Sequence, residues 1–478
     1  MINFLLNNEK ISVGLPTGMI LLDFIRNNKG LTGTKESCRE GDCGACLVLL
    51  GEVCENDIRY TPVNSCLLPL GEVHEKHVVT IEGINTGSLN PLQKAFIEEG
   101  AIQCGFCTPG FVVSLTAYFL NSETFNEEEA VFYIDGNICR CTGYVSIIRA
   151  IEKTIKDLKS PLIKNGISKY TLERIKSLVG IKILPEYFLN IPERLQRLSV
   201  NKKVKITKIN KESVIVAGGT DLFVQNPDYL TNNNLMFLSN NIDLRKIWID
   251  KKRCYIGAMA TVEDIRNSDV IRRIFPDINK FFKLIASTPI RNRATLGGNI
   301  INASPIGDLT IFFMALNASI VLSDGKKKRE LLLKNFFKDY KQLDKKDGEV
   351  LMFLSFEMPD EKSIFNFEKV SQRRHLDIAS VNSAIQLQCV NGIIKTANLS
   401  VGGVAPIPLY LSKTSEYLTG KEISNNLLKE TSKITQSEIS PISDVRGSKE
   451  YKRLLTRQII YSHFMTLCPE KIDIEELL

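Results

Sequence analysis

The sequence has no apolar run approaching the ~18–20 residues that a membrane-spanning helix needs. It holds one tryptophan and only four histidines, at 74, 77, 375 and 463, in 478 residues. These histidines form no metal-ligand cluster and read as surface or capping residues. No G-x-G-x-x-G opens a first βα unit, and no Walker A sequence occurs, so neither a Rossmann site nor a P-loop is expected. The N-terminus, MINFLLNNEKISVGLP, lacks a basic segment followed by an apolar one, so no secretory signal is expected and the protein is placed in the cytoplasm. No Ser/His/Asp arrangement is readable, and no catalytic side chain is expected.

Basic and acidic residues nearly balance, 61 against 54, except in one stretch. Between residues 151 and 211 there are fifteen Lys or Arg against five Asp or Glu. The formal charge of the whole chain is +7, so the remainder is slightly acidic. A basic stretch reads as a solvated linker and helix face, or as a surface for an acidic protein partner. Nucleic acid is not expected, because no recognition motif or aromatic interleaving accompanies the charge. With 44% hydrophobic and 24% charged residues, the chain has material for full cores, and its length suits three to four domains.

Cysteine is abundant. Eight of the twelve fall into two sets. Cys38, Cys43, Cys46 and Cys66 have the spacing C-x4-C-x2-C-x19-C, that of a plant-type [2Fe–2S] ferredoxin. Gly41 and Gly44 let the loop wrap a cluster and aim N–H groups at its sulfurs. Cys54 is an alternative fourth ligand, but it follows an apolar strand, whereas Cys66 follows a loop able to fold back. Zinc fits this spacing poorly. Cys104, Cys107, Cys139 and Cys141 are spaced C-x2-C-x31-C-x-C, which by itself suits zinc or iron. Cys54, Cys254, Cys389 and Cys468 read as buried structural thiols.

Around these sets, residues 2–13 alternate as a hairpin, Thr17 caps a helix over Met19–Asn27, and strands cover 47–53 and 78–84. Helices are expected from Asn90-Pro91 to Gly100, Thr108 to Leu120, Glu127 to Gly136 and Tyr144 to Leu158. Prolines at 161, 185 and 192 argue against one long helix in the basic stretch. From Ser213 a strand–Gly turn–helix pattern runs to about Pro359. From Phe365, strands alternate with helices.

Two Gly-rich segments stand out, Val216–Asp221 (VAGGTD) and Arg291–Asn299 (RNRATLGGN), the latter followed by ASPIGD. Adjacent glycines admit a pyrophosphate close to the backbone. Thr220, Thr295, Asn299 and Ser304 add neutral donors. Tight-turn chemistry explains the same glycines about as well.

QCGFCTPG and GNICRCTGY, with EGDCGAC upstream, closely resemble the iron–sulfur module of the molybdenum hydroxylase family, which includes xanthine dehydrogenases, aldehyde oxidoreductases and carbon monoxide dehydrogenases. AGGTDL and IRNRATLGGNIINASPIGDL resemble the FAD-binding domain of the same family. The resemblance covers nearly the whole chain and implies an α+β multidomain protein. Its parts are a β-grasp 2Fe-2S ferredoxin domain (1–83), a helical 2Fe-2S domain (84–158) and a linker (159–204). A vanillyl-alcohol-oxidase-type FAD-binding domain (205–360) and a C-terminal α/β domain like that of CO dehydrogenase flavoproteins (361–478) follow. It implies two 2Fe-2S clusters and FAD. Ile215, Val216, Ala217, Gly218, Gly219, Thr220, Asp221 and Leu222, with Thr295, Leu296, Gly297, Gly298 and Asn299, are then expected at the pyrophosphate and ribose. Asp308 is expected at a polar part of the cofactor and Lys369 near the isoalloxazine carbonyls, although Lys369 by itself also reads as a surface lysine. Relatives often carry an aromatic residue where this chain has Ile285, so an aliphatic cover of the flavin ring is expected here.

The fusion of iron–sulfur and flavin parts favours the xanthine dehydrogenase branch. That implies a separate molybdopterin-containing large subunit, a heterotetramer with two of each chain, and electron flow from a purine to NAD⁺ or O₂. A hydroxylase of another aldehyde or N-heterocycle, or a non-enzymatic redox or zinc scaffold, are the alternatives. The hard chemistry belongs to the cofactors.

Overall fold

The computed structural model describes residues 1–54, 57–123, 125–164, 171–198, 212–239, 241–373 and 376–477, without the side chains of 159–164. His375 and residues 199–211 of the basic stretch lie outside the described residues. Two compact units are present. One is drawn from Met1–Val204, Glu212–Asn240 and Ser287–Arg293, the other from Lys205–Lys211, Asn241–Ala286 and Ala294–Leu478.

The first unit opens with five strands: β1 (Ile2–Leu6), β2 (Glu9–Val13), β3 (Leu47–Cys54), β4 (Asp57–Asn64) and β5 (His77–Val79). Their order is β2-β1-β5-β3-β4, with β1 parallel to β5 and the other pairs antiparallel, a β-grasp sheet. Successive side chains of a strand point to opposite faces. Val48 and Leu50 accordingly meet Leu21, Phe24 and Ile25 in one core. Leu47 and Leu49 meet Phe96, Phe111 and Tyr118 in another. The expected Thr17-capped helix is shorter, Leu21–Asp23 with a π-helical turn over Phe24–Asn28. The reason is local. The carbonyls of Thr17 and Met19 accept from Gly71 and Leu70, so the backbone there is extended against a neighbouring loop.

Helices Pro91–Glu98, Thr108–Asn121, Glu127–Tyr133 and Val145–Lys164 follow. The first has a full capping box between Asn90 and Gln93, with Pro91 inside its first turn. The second is buried from Gly110 to Leu120, which accounts for its nearly unbroken apolar sequence. The fourth runs past Pro161. Where it is described, the basic segment read as a linker folds into helices Thr171–Gly180 and Ile191–Leu198. Ile175, Leu178, Phe188, Ile191 and Leu195 join the core of Leu47 and Phe111. Two strands, β6 (Val214–Val216) and β7 (Leu235–Phe237), pair in parallel.

The second unit holds β8 (Ile247–Asp250), β9 (Arg253–Gly257), β10 (Ser319–Ser323), β11 (Lys328–Leu332), the β12–β13 hairpin (Phe337–Asp339, Gln342–Leu343) and β14 (Val350–Glu357). An antiparallel sheet β11-β10-β14-β9-β8 covers a core with Phe281, Phe282, Phe312 and Phe356. The C-terminal part differs from the expected alternation. Strands β15 (Ser363–Val370), β16 (Val381–Val390), β17 (Ile393–Gly402) and β18 (Leu409–Tyr410) form one antiparallel meander, and the helices Ser412–Leu418, Asn425–Glu438 and Lys449–Leu467 come after it. Short antiparallel links need no crossover helix. Among the described residues no helix is long and apolar enough to cross a membrane.

Two expectations are corrected by burial. His77 and His463 are fully buried rather than at the surface, whereas His74 is exposed. Cys54 is exposed at the end of β3, while Cys254 and Cys468 are buried and Cys389 is half-buried.

Candidate iron–sulfur and flavin sites

The eight cysteines of the two sets sort into pairs. Cys38 and Cys43 lie close enough to shift each other's thiol, as do Cys46 and Cys66. In the second set Cys104 and Cys141 lie 3.6 Å apart at sulfur, and Cys107 pairs with Cys139. Among the described residues no three Cys, His, Asp or Glu converge as a single-ion site requires. Two thiolate pairs per set are the donor arrangement of a two-iron rhomb, one pair for each iron. Cys66 is buried and coupled to Cys46, as a fourth ligand would be, whereas Cys54 is exposed. None of the twelve cysteines is in a disulfide.

The first loop is built to hold anionic sulfur. Arg39, Gly41 and Gly44 have φ of 56°, 81° and 68°. This winding turns the Glu40 N–H onto the Cys38 sulfur at 3.4 Å. Hydrogen bonds from Cys43 and from the amides of Glu40, Cys43 and Asp42 lower the Cys38 thiol to about 5, while burial opposes them. At the second set the Thr142 hydroxyl donates to the Cys139 sulfur at 3.1 Å. The two loops touch through their backbones. Ile138 N–H donates to the Cys43 carbonyl at 3.0 Å. A Cβ on Gly110 would lie 2.2 Å from the Gly44 carbonyl oxygen, so this approach needs glycine.

The sets differ in exposure. Cys46 and Cys66 are buried, whereas Cys104 and Cys141 are exposed. Exposed apolar side chains neighbour the second set in sequence: Ile102, Phe106, Ile138, Tyr144 and Val145.

The first Gly-rich segment and Arg291–Arg293 of the second lie in the first unit, and Ala294–Asn299 lies in the second unit. The first segment follows β6 and precedes the short helix Leu222–Gln225. Gly219 has φ of 80°. Among the described residues the N–H groups of Gly218, Gly219 and Thr220 meet no acceptor. Open amides in a turn of this kind suit an anion. Val216 and Phe223, on either side of the turn, share one core with Cys46 and Cys66. The side chains of Ile215, Ala217, Asp221 and Leu222 complete the turn.

The second segment behaves otherwise. Thr295 caps the helix Leu296–Asn302 by accepting from Gly298 N–H at 3.0 Å. Gly297 N–H donates to the Ala258 carbonyl, and a Cβ at Gly297 would lie 2.8 Å from that oxygen. Gly297 is therefore a packing glycine, and neither amide is left for a phosphate. The Asn299 side-chain oxygen accepts from Thr310, and Ser304 Oγ accepts from Ile306 N–H. What this segment offers a ligand is side chains.

Lys369 is no surface lysine. Its side chain is 2% exposed, and its ammonium donates to Asp308 Oδ2 at 2.7 Å and to the Leu284 carbonyl at 2.8 Å. Asn382 donates to the other Asp308 oxygen at 2.6 Å. Ile285 is buried within the phenylalanine-rich core of its unit. Sequence reading had no signal for Asn382, nor for Arg293 and Glu72, whose buried pair closes at 3.0 Å across more than 200 residues of chain.

Comparison with known proteins fits this geometry. Residues 4–70 match a 2Fe-2S iron-sulfur cluster binding domain, and residues 80–152 match a [2Fe-2S] binding domain. Residues 193–359 match the FAD binding domain in molybdopterin dehydrogenase, and residues 367–467 match the CO dehydrogenase flavoprotein C-terminal domain. The chain is 28% identical to the xanthine dehydrogenase/oxidase of Rattus norvegicus, over 96% of this chain and 38% of that protein. It is 29% identical to xanthine dehydrogenase 1 of Arabidopsis thaliana, over 94% and 38%. It thus spans well under half the length of these relatives. Among solved structures, a Cu,Mo-CO dehydrogenase is similar at 25% identity and a TM-score of 0.51, covering 54% of this chain and 90% of that one. Quinoline 2-oxidoreductase from Pseudomonas putida 86 shares the fold at 23% identity and a TM-score of 0.50, covering 55% of this chain and 92% of that one. These domains, in this order, make the chain an iron–sulfur flavoprotein for two 2Fe-2S clusters and FAD, similar to the iron–sulfur and flavin parts of molybdenum hydroxylases.

Proposed function

We propose that this chain is the electron-transfer part of a xanthine dehydrogenase-type oxidoreductase working in the cytoplasm. A purine is hydroxylated at a molybdopterin centre carried by a separate large subunit, in a heterotetramer with two of each chain. When bound, the two clusters pass electrons singly, and FAD gathers two and delivers them to NAD⁺.

Residues of the chain define the direction. Cys104 and Cys141 are the exposed pair, so this end faces the source of electrons. Ile102, Phe106, Tyr144 and Val145 give it an apolar rim for a partner surface. Ile138 hands over to Cys43 through a backbone hydrogen bond. Cys46 and Cys66 then share a core with Val216 and Phe223, which flank the open amides of Gly218–Thr220. This continuity, from exposed thiols to an anion-binding turn within one folded unit, carries the reading. Within the second unit, Thr295, Asn299 and Ser304 offer a flavin their side chains, and Asp308 and Lys369 offer it a charged pair.

The test is a pair of assays on the complete complex. Cys104→Ser should stop transfer from purine to NAD⁺ and spare NADH oxidation by a flavin-reactive dye. Loss of both activities, with FAD retained, would contradict the order. Turnover of another N-heterocycle or an aldehyde in place of a purine would move the chain to a sister branch.

A further inference from the structure

Arg293 belongs to the second Gly-rich segment, with Ala294 between it and TLGG, yet its Nη2 donates to the carbonyl of Gly218 in the first segment at 3.3 Å. The same nitrogen donates to Glu72 Oε2 at 3.0 Å. Glu72 is fully buried in the ferredoxin fold, and its second oxygen accepts from Ser239 Oγ at 2.8 Å. Its neighbour Gly71 faces Phe237 so closely that a Cβ there would lie 2.5 Å from the ring. The Arg293 Nε–H is buried and meets no acceptor among the described residues.

Resting on the proposed flavin site, we infer that Arg293 is the positioning residue of the pyrophosphate turn and that Glu72 holds it in place. The peptide unit is planar and trans, so its C=O and N–H point to opposite sides. Fixing the Gly218 carbonyl on Arg293 therefore directs the Gly219 N–H away from the guanidinium, into the open side of the turn. Gly219, at φ of 80°, has the conformational freedom to flip if that carbonyl is released. The arrangement also brings a positive charge beside amides that otherwise offer only neutral donors, with one donor still unmet. A residue of the 3-10 turn Leu70–Val73 in the ferredoxin fold thereby sets the affinity of a flavin loop. Arginine suits this because its planar guanidinium fixes the direction of both N–H bonds of Nη2, which a freely rotating lysine ammonium does less well.

The experiment uses the full chain, carrying both clusters and stripped of FAD, titrated with FAD by flavin fluorescence and with ADP as competitor. Arg293→Met should weaken FAD and ADP by the same factor, about tenfold or more. Arg293→Lys should recover only part of this. Its thermal midpoint and the visible circular dichroism of both clusters should stay at wild-type values. Glu72→Gln should weaken FAD less, and Glu72→Gln with Arg293→Met should be no worse than Arg293→Met alone. Wild-type affinity in Arg293→Lys and in any folded Arg293→Met overturns the inference. So does FAD loss accompanied by loss of the cluster bands in both variants, which marks general collapse. A wild-type chain without FAD affinity overturns the flavin site itself, and the inference with it.

Discussion

The backbone N–H of Ile138 donates to the carbonyl oxygen of Cys43 at 3.0 Å. One residue is a neighbour of Cys139 and the other belongs to the first cysteine set, so this hydrogen bond joins the two cysteine loops. Gly44 and Gly110 make the approach possible, since a Cβ on either would fall within 2.4 Å of a carbonyl oxygen. Gly110→Ala should push the loops apart at a cost of about 1–3 kcal/mol. Both clusters should still assemble, with weaker magnetic coupling between them in the EPR spectrum of the reduced chain. Unchanged coupling and stability would show that the loops do not meet this way.

Cys43→Ser and Cys107→Ser should each remove one cluster and leave the other. Iron analysis should fall from about four to about two per chain in each case. The pairing supports this, because each substitution breaks a pair in a different loop. Cys54→Ser should change neither cluster, since this thiol is exposed at the far end of β3.

The cysteine spacing was legible because metal ligation ties residue type directly to sequence distance. The helix start at Asn90-Pro91 was legible because a capping box is local, and that at Thr108-Pro109 because proline suits the first helical turn. The histidines were not. His77 is enclosed by Tyr60, which donates to its Nδ1 at 2.7 Å, and by the Asn7 carbonyl, which accepts from Nε2 at 2.9 Å. Those partners lie 17 and 70 residues away, beyond any local pattern. The basic stretch misled for a related reason: its apolar residues fill one face of short helices, and the charge on the other face dominates the count. At the flavin segments, GG pairs looked alike in sequence, yet one turn leaves its amides open and the other spends them on Ala258 and Thr295.

Acid should destabilise the protein through its buried histidines. Burial pushes His77 and His463 down to about 3. The unfolded chain takes up these protons near pH ~6.5 and the folded chain does not, so stability is complete above ~6.5 and falls as pH drops toward ~3. Each histidine should contribute a slope of about 1.4 kcal/mol per pH unit in that window. Denaturant unfolding between pH 7 and 4.5 checks this. The slope should be shallower in His463→Gln if that variant folds, and an unchanged slope would assign the acid sensitivity to other groups.

Removing one partner of a buried ion pair leaves the other charge stranded. Lys369→Met should therefore cost about 3–5 kcal/mol, because Asp308 keeps only Asn382 as a donor. Combining it with Asp308→Asn should recover most of that loss. A single substitution that unfolds no more easily than wild type would mean that the pair is solvated in solution.

Whether one chain carries two one-electron centres and a two-electron centre is tested most directly by reductive titration of the full chain, followed by EPR and visible absorption. The account predicts uptake of about four electrons per chain, two distinct [2Fe–2S] signals and bleaching of one FAD. Stoichiometric zinc with no EPR signal, or a single cluster signal with no flavin band, would contradict it.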